Sequence, residues 1–473
     1  MQIDKKIKWA NCCNKEIVCI HCPNFESCKK WLAYVNKHCS RKGYAHFDAR
    51  TSLADDKTRE RVLDAQWVAR HGFWPLIHTP LKWDKFGKGD ESQKPTKKKK
   101  IRDVRYPAHI DRCVFQRYAF LINELYDEAV LETGVDKCAI AYRTGKGLST
   151  IDYAKSVFDF IVQHDDCTIL VTDFKDFFEG IDHKFLKSSL CRLLRCDVLP
   201  ADYYAVFKNT TAYSYWDWES LLKINHLEHC RAARKTLNSK EVVLTREEFL
   251  QNKKDCLQGN KSGKGIPQGS PLSAVLSNVY LSELDAEVSE LVSSAGGLYY
   301  RYCDDAIVVL PTKTSGLEKT MAIIKNIVNA FGSYPGVEVQ REKTGFLRYE
   351  HVDGLGSISK IDESGRSKEK EKLNYLGFTF DGNEIRIREK TIGKYYYRMR
   401  TKAKSAAKQK RGTERLYGCY SEKSVDIMGK PSFIDYARRA HATIDMNDPA
   451  SLSVANHNME KIAKALNEFS RDE

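Results

Sequence analysis

The 473-residue sequence predicts an α+β fold, with a small sheet whose strands end in acids and helices packed around it. Three observations carry that expectation. Cys167-Thr168-Ile169-Leu170-Val171-Thr172-Asp173 is a continuous apolar run of strand length that ends on a carboxylate, as a buried strand would. Leu298-Tyr299-Tyr300-Arg301-Tyr302 and Ala306-Ile307-Val308-Val309-Leu310 are two further apolar runs that meet at Cys303-Asp304-Asp305, the pattern of a hairpin with acids at its tip. Helical periodicity fills the segments between, at 113–131, 272–292 and 316–332.

In chain order, the N-terminus is rich in cysteine: six of the fifteen fall in the first 39 residues. Cys19-x-x-Cys22 forms a usable zinc knuckle that Cys12 or Cys13 with Cys28 would complete. The irregular second spacing leaves plain buried thiols as the other reading. Residues 24–83 read as mostly helical, with Trp31, Leu32 and Val35, then Leu63, Trp67 and Val68, as core faces. Lys82 to Lys100 reads as a mobile basic loop ending in four lysines. After the strand that ends at Asp173, helices are expected to about residue 262, including the aromatic stretch Tyr213–Trp218, read as packing of an inserted helical unit. The loop Gly263–Pro271 opens the 272–292 helix. Beyond the hairpin come a strand around 336–340, a polar loop at 350–372, and helices at 391–411 and 434–469, the first strongly basic.

Lys and Arg number 77 against 63 Asp and Glu, a formal charge of +14, with the excess gathered in the 97–102 and 390–411 segments. That distribution suits a polyanionic partner. There is no run of 18 apolar residues and the start is polar, so no membrane association and a cytoplasmic location are expected. Chemistry is expected at the acids. Asp173, Asp304 and Asp305 stand at strand ends that one sheet can bring together, and clustered carboxylates with open positions suit Mg²⁺, which shares its ligands with water and phosphate. An isolated Asp-Asp pair would be only a turn signal.

The surroundings of the acids resemble a family, the bacterial reverse transcriptases related to those of retrons and group II introns. The resemblance spans about residues 97–380. It rests on Phe177-Phe178-x-x-Ile181-Asp182-His183 after Asp173, on Gly265-x-Pro267-Gln268-Gly269-Ser270-Pro271-Leu272-Ser273, and on Tyr302-Cys303-Asp304-Asp305. Arg102 with Pro107, Asp111-Arg112 and Gln116, then Lys343-Thr344, then Leu373-Asn374-Tyr375-Leu376-Gly377-Phe378, follow in the family's order.

The resemblance implies a right-hand polymerase with a ferredoxin-like palm, fingers, a helical thumb and a helical N-terminal extension. On it, residues 1–84 are the extension, 85–165 the fingers, 166–385 the palm with an insertion at about 197–262, and 386–473 the thumb and C-terminal region. Two Mg²⁺ ions, with Mn²⁺ as a substitute, are expected on Asp173, Asp304 and Asp305. Lys343 is expected to protonate pyrophosphate. Arg102, Phe174, Phe178 and Gln268 are expected around the dNTP, with Phe178 as the ring that excludes a ribose 2′-OH. Pro267, Gly269, Tyr302, Leu376 and Gly377 are expected along template and primer.

The basic 390–411 helix would track a hybrid duplex through its phosphates. Cys303 stands where many relatives carry alanine. The sequence shows no H-N-H pattern or room for an RNase H domain after the thumb, which sets it apart from mobile intron enzymes. It is similar to defence-associated enzymes that copy a partner noncoding RNA into cDNA. A retron enzyme, or an RNA-binding maturase-like component, stands as the alternative.

Overall fold

The computed structural model describes residues 25–86, 97–143, 146–408, 412–422, 432–444, 446, 454 and 458–471. Helices Phe25–His38, Asp56–Leu63 and Ala65–Arg70 come first, and the chain then turns to sheet. β1 (Leu76–Phe86) and β2 (Lys97–Tyr106) form a long antiparallel hairpin arm, paired from Ile77↔Tyr106 out to Phe86↔Lys97. The expectations of helix up to residue 83 and of a loop from Lys82 to Lys100 are therefore corrected: 76–86 and 97–100 are strand. The outer arm exposes Leu81, Trp83 and Ile101, and a ribbon wetted on both sides needs no apolar alternation to hold its pairing.

Helices His109–Glu132 and Thr150–Gln163 lead to β3 (Asp166–Asp173). β4 (Ser214–Asp217) and β5 (Gln258–Gly259) then extend the arm into a sheet of order β2-β1-β4-β5. The Tyr213–Trp218 stretch is thus not helical through its middle: Tyr215, Trp216 and Asp217 pair in parallel with Leu76, Ile77 and His78. Trp216 is fully buried in a cluster with Phe47, Trp218, Leu221 and Leu237, so part of the expected packing role holds on a strand instead of a helix.

β6 (Leu298–Tyr302), β7 (Asp305–Pro311), β8 (Gly345–Val352), β9 (Leu355–Ile361) and β10 (Ser367–Lys370) join β3 in a six-stranded sheet of order β10-β9-β8-β3-β7-β6. β3 is central, and four consecutive residues, Cys167 to Leu170, are buried, which is why its sequence is apolar on both faces. Cys167 and Ile169, with Ile307 and Val309, face the helices Thr150–Gln163 and Phe433–Ile444. Leu170, with Val308 and Leu310, faces the helices Pro271–Ser294 and Leu317–Ser333.

Two further expectations change here. Residues 350–372 are not a loop: β8 turns into β9 through Asp353-Gly354, both at positive φ (51° and 78°), and β10 follows. The strand expected at 336–340 reduces to one bridge, Val339 to Phe174.

β11 (Leu373–Tyr375), β12 (Phe378–Phe380) and β13 (Ile385–Ile387) make a separate small sheet. Helices Glu389–Lys408, Phe433–Ile444 and Asn458–Arg471 follow it. Cys12, Cys13, Cys19 and Cys22 lie outside the described residues, and Cys28 is described only as a backbone position in the first helix. Among the described residues no helix is long and apolar enough to cross a membrane.

Candidate active site

β3 and β7 pair in a register that sets Asp173 directly across from Asp305. β6 and β7 are joined by the two-residue turn Cys303-Asp304, and the ladder continues past the acids, with the Phe174 N–H donating to the Asp304 carbonyl at 3.0 Å. On the other side of β3, the Gln340 N–H donates to the Asp173 carbonyl at 2.9 Å, and three residues later the Lys343 ammonium donates to Asp173 Oδ1 at 2.8 Å. The sheet thus collects three acids and one cation at a single edge.

Removal of water by the surrounding protein, followed by the charges of Asp304 and Asp173, pushes the Asp305 carboxyl well above the usual carboxylate range. Asp304 is raised for the same first reason, with Asp173 adding to it. Among the described residues no three His, Cys, Asp or Glu side chains close on one point as a ready-made metal cage. Mg²⁺ asks for less, one or two carboxylates with water and substrate phosphate making up its octahedron. Carboxylates crowded together away from water repel one another when charged, and a divalent cation relieves that repulsion, so Asp173, Asp304 and Asp305 fit that group.

The hairpin tip is held from behind by charges that the sequence reading did not single out. Arg301 is fully buried and donates to both oxygens of the buried Asp285, Nε to Oδ1 at 2.8 Å and Nη2 to Oδ2 at 2.6 Å. It also reaches Asn278 Oδ1 and, through Nη1 at 2.9 Å, the carbonyl of Cys303. Tyr299 adds its hydroxyl to Asp285 at 2.8 Å.

Cys303 carries φ +61°, a left-handed conformation that costs an L residue about 1–2 kcal/mol, and it is buried. A turn under that strain keeps its shape only when neighbours fix it, and Arg301 does so through the Cys303 carbonyl. The available signal was a charge at a core position: Arg301 sits inside an apolar strand, and Asp285 lies among Leu281, Leu284 and Val288 on a buried helix face.

The other expected residues spread around this centre. Phe178 is half-buried, its ring 5.7 Å from that of Phe177, and its carbonyl accepts from the Ile266 N–H at 2.8 Å. Gln268 donates from Nε2 to Glu179 at 2.9 Å. Gly269 has φ +122°, and a Cβ there would lie 2.8 Å from the Arg105 carbonyl and 2.9 Å from Val104. The glycine is therefore required by the close approach of β2, in addition to any template base. Ser270 then caps the helix that Pro271 begins.

The Phe174 ring is buried against Phe177 and Phe331, and Pro267 is buried with its carbonyl accepting from the Ser273 hydroxyl, so both side chains pack inside the protein. Tyr302 is half-buried, 6.5 Å from the ring of Tyr142. Leu376 and Gly377, both at positive φ (44° and 93°), form the β11–β12 turn, and the adjoining Tyr375 hydroxyl feels the charge of Asp305. Arg102 is exposed on the arm, over the ring of Trp83 at 5.9 Å.

An open groove of about 1810 Å³ runs between the arm, the outer edge of the six-stranded sheet, the small sheet and the helix Glu389–Lys408. Lys100 and Trp83 line it from the arm, Lys370 from β10, and Arg388, Lys394 and Arg398 from the opposite wall.

A sheet edge that gathers three acids, with a lysine beside them and a basic groove, is the arrangement of a right-hand polymerase fold. Residues 94–380 match the family described as reverse transcriptase (RNA-dependent DNA polymerase), whose members work with divalent metal ions, and the chain belongs to that family. Among curated proteins, none is similar in sequence. Similar solved structures include the apo telomerase of Candida tropicalis truncated from its C-terminal domain, at 12% identity and TM-score 0.41, covering 72% of this chain and 61% of that one. The apo telomerase of C. tropicalis matches at 12% and 0.39, over 93% of this chain and 68% of that one. Candida albicans telomerase with a fragment of telomeric RNA matches at 13% and 0.36, over 94% and 64%. The chain thus spans less than two thirds of the first of these telomerases.

Proposed function

We propose that this chain is an RNA-directed DNA polymerase that copies a cognate structured noncoding RNA into cDNA, in the cytoplasm, as part of anti-phage defence. The observation that carries the polymerase reading is the Asp173↔Asp305 register with Asp304 in the adjoining turn. Asp173, Asp304 and Asp305 would hold two Mg²⁺ ions, which would supply a lowered pKa at the attacking hydroxyl and charge neutralisation at the leaving oxygen. Lys343, already at the acids, is placed to give a proton to departing pyrophosphate. Arg102 takes triphosphate from the arm, and Phe178 excludes the 2′-OH. Gln268 and Gly269 seat the template base, while Leu376 and Gly377 hold the primer strand. The Tyr302-Cys303-Asp304-Asp305 tip and the segments beyond a minimal enzyme, N-terminal and inserted, support the defence reading and a cognate RNA bound by shape.

Primer extension on RNA templates with Mg²⁺ and dNTPs tests the polymerase. Asp304→Ala with Asp305→Ala is expected to abolish synthesis while RNA binding persists; full residual synthesis refutes the assignment. Sequencing nucleic acid recovered with the protein from infected and uninfected cells tests the rest. One defined RNA with its cDNA is expected, and an unselective mixture in both refutes a cognate template.

A further inference from the structure

Arg105 carries five N–H donors and spends none of them inside the described protein. Its Nε is buried without a hydrogen-bond partner, and no ion pair reaches its guanidinium. The group instead lies against two rings, 4.9 Å from the centroid of Tyr215 and 5.7 Å from that of Tyr213. The acids on this face of the sheet are engaged elsewhere. Asp103 and Asp217 both meet the His78 ring, at 3.0 and 2.5 Å, and Glu179 accepts from Gln268 while feeling the Arg105 charge at longer range. A half-buried guanidinium with no acceptor leaves a desolvation cost that an anionic ligand would offset.

Position narrows the ligand. Arg105 and Arg102 are three residues apart on β2, so strand alternation sends them to opposite faces of the arm. Arg102 shares its face with Trp83 and Lys100, which line the groove. Arg105 takes the other face, with Tyr215 and His78, and its own backbone N–H holds the Gln268 carbonyl at 2.7 Å.

We infer that Arg105, pre-oriented by Tyr213 and Tyr215, binds a phosphate of the unpaired template strand as it passes the Gln268-Gly269 loop on its way to the acids. The inference rests on the polymerase reading above. It adds a second nucleic-acid contact, on the sheet face opposite the groove and specific for single strand that has not yet been copied.

The test uses the full chain and a labelled DNA primer on RNA templates with an unpaired extension of one or of eight nucleotides. The wild type is expected to bind the longer extension more tightly, and Arg105→Gln to lose roughly tenfold of that gain. The salt slope for the long extension should fall by about 0.7–1, while binding and single-nucleotide addition on the short one are unchanged. Arg105→Lys, which keeps the charge in the same slot, should retain the slope. Equal loss on both templates, or no loss on either, overturns the assignment, as does a lysine variant that behaves like glutamine. A wild-type chain that extends neither primer overturns the polymerase reading instead.

Discussion

The β6–β7 hairpin and the β1–β2 arm are both antiparallel two-stranded units that carry charged residues, and they are built in opposite ways. β7 is buried along its length after Asp305, and the tip is braced by a wholly buried arginine–aspartate pair. The arm is exposed at 81–83 and 99–103, and its Arg102 is steadied by little more than the ring of Trp83. On the proposed function, a carboxylate that is to hold a metal must keep its place before substrate arrives, which the over-determined first hairpin suits, and a residue that is to meet triphosphate can adapt to it, which the exposed second hairpin allows.

That contrast can be broken at the brace. Arg301→Met strands Asp285 as an unpaired buried charge and is expected to cost about 3–5 kcal/mol of stability, read by denaturant unfolding. Adding Asp285→Leu should restore much of it, because the pair's own desolvation cost disappears as well. A single-variant cost under about 1 kcal/mol would mean that the tip does not depend on the brace. On the arm, Arg102→Ala should raise the KM for dNTP about tenfold, read by steady-state extension, with an unaltered melting temperature. A loss in kcat alone would move the triphosphate contact away from the arm. The smallest effect is expected from Ile101→Ser, within about 0.5 kcal/mol in unfolding. A larger cost would show the outer arm packing against something, contrary to its exposure.

The same contrast sets what the sequence could reveal. β3 and β7 were readable because burial on both faces demands an unbroken apolar run, and the acids at their ends stand out against it. The arm was not, because strands wetted on both sides carry no such pattern and the lysines dominated the composition. β8 and β9 were readable in principle from Asp353-Gly354, a strong hairpin turn, but the polar residues around it read as loop. Tyr213–Trp218 was misjudged because its strand form comes from pairing with Leu76–His78, far away in sequence. Of the site, Asp173, Asp304 and Asp305 were legible as acids at the ends of apolar strands, while Lys343 came only from the family resemblance. Asp285 was missed although it lies on the apolar face of its helix, because the partner that explains a buried charge there, Arg301, lies sixteen residues on. The burial of the Phe174 and Pro267 rings was not legible, since motif membership does not say which way a ring faces.

The two rims of the six-stranded sheet bear on how the protein tolerates crowding. At one rim β6 is covered by the segment around Ala139, through bonds from Arg301 to Cys138 and from Ile140 to Arg301. At the other, β10 is the fully exposed Ser367-Lys368-Glu369-Lys370, with a register shift between Ser367 and Glu369. A charged, irregular last strand is a poor template for recruiting another chain edge to edge. Self-association of concentrated protein should therefore not proceed by extension of the six-stranded sheet at β10 or β6.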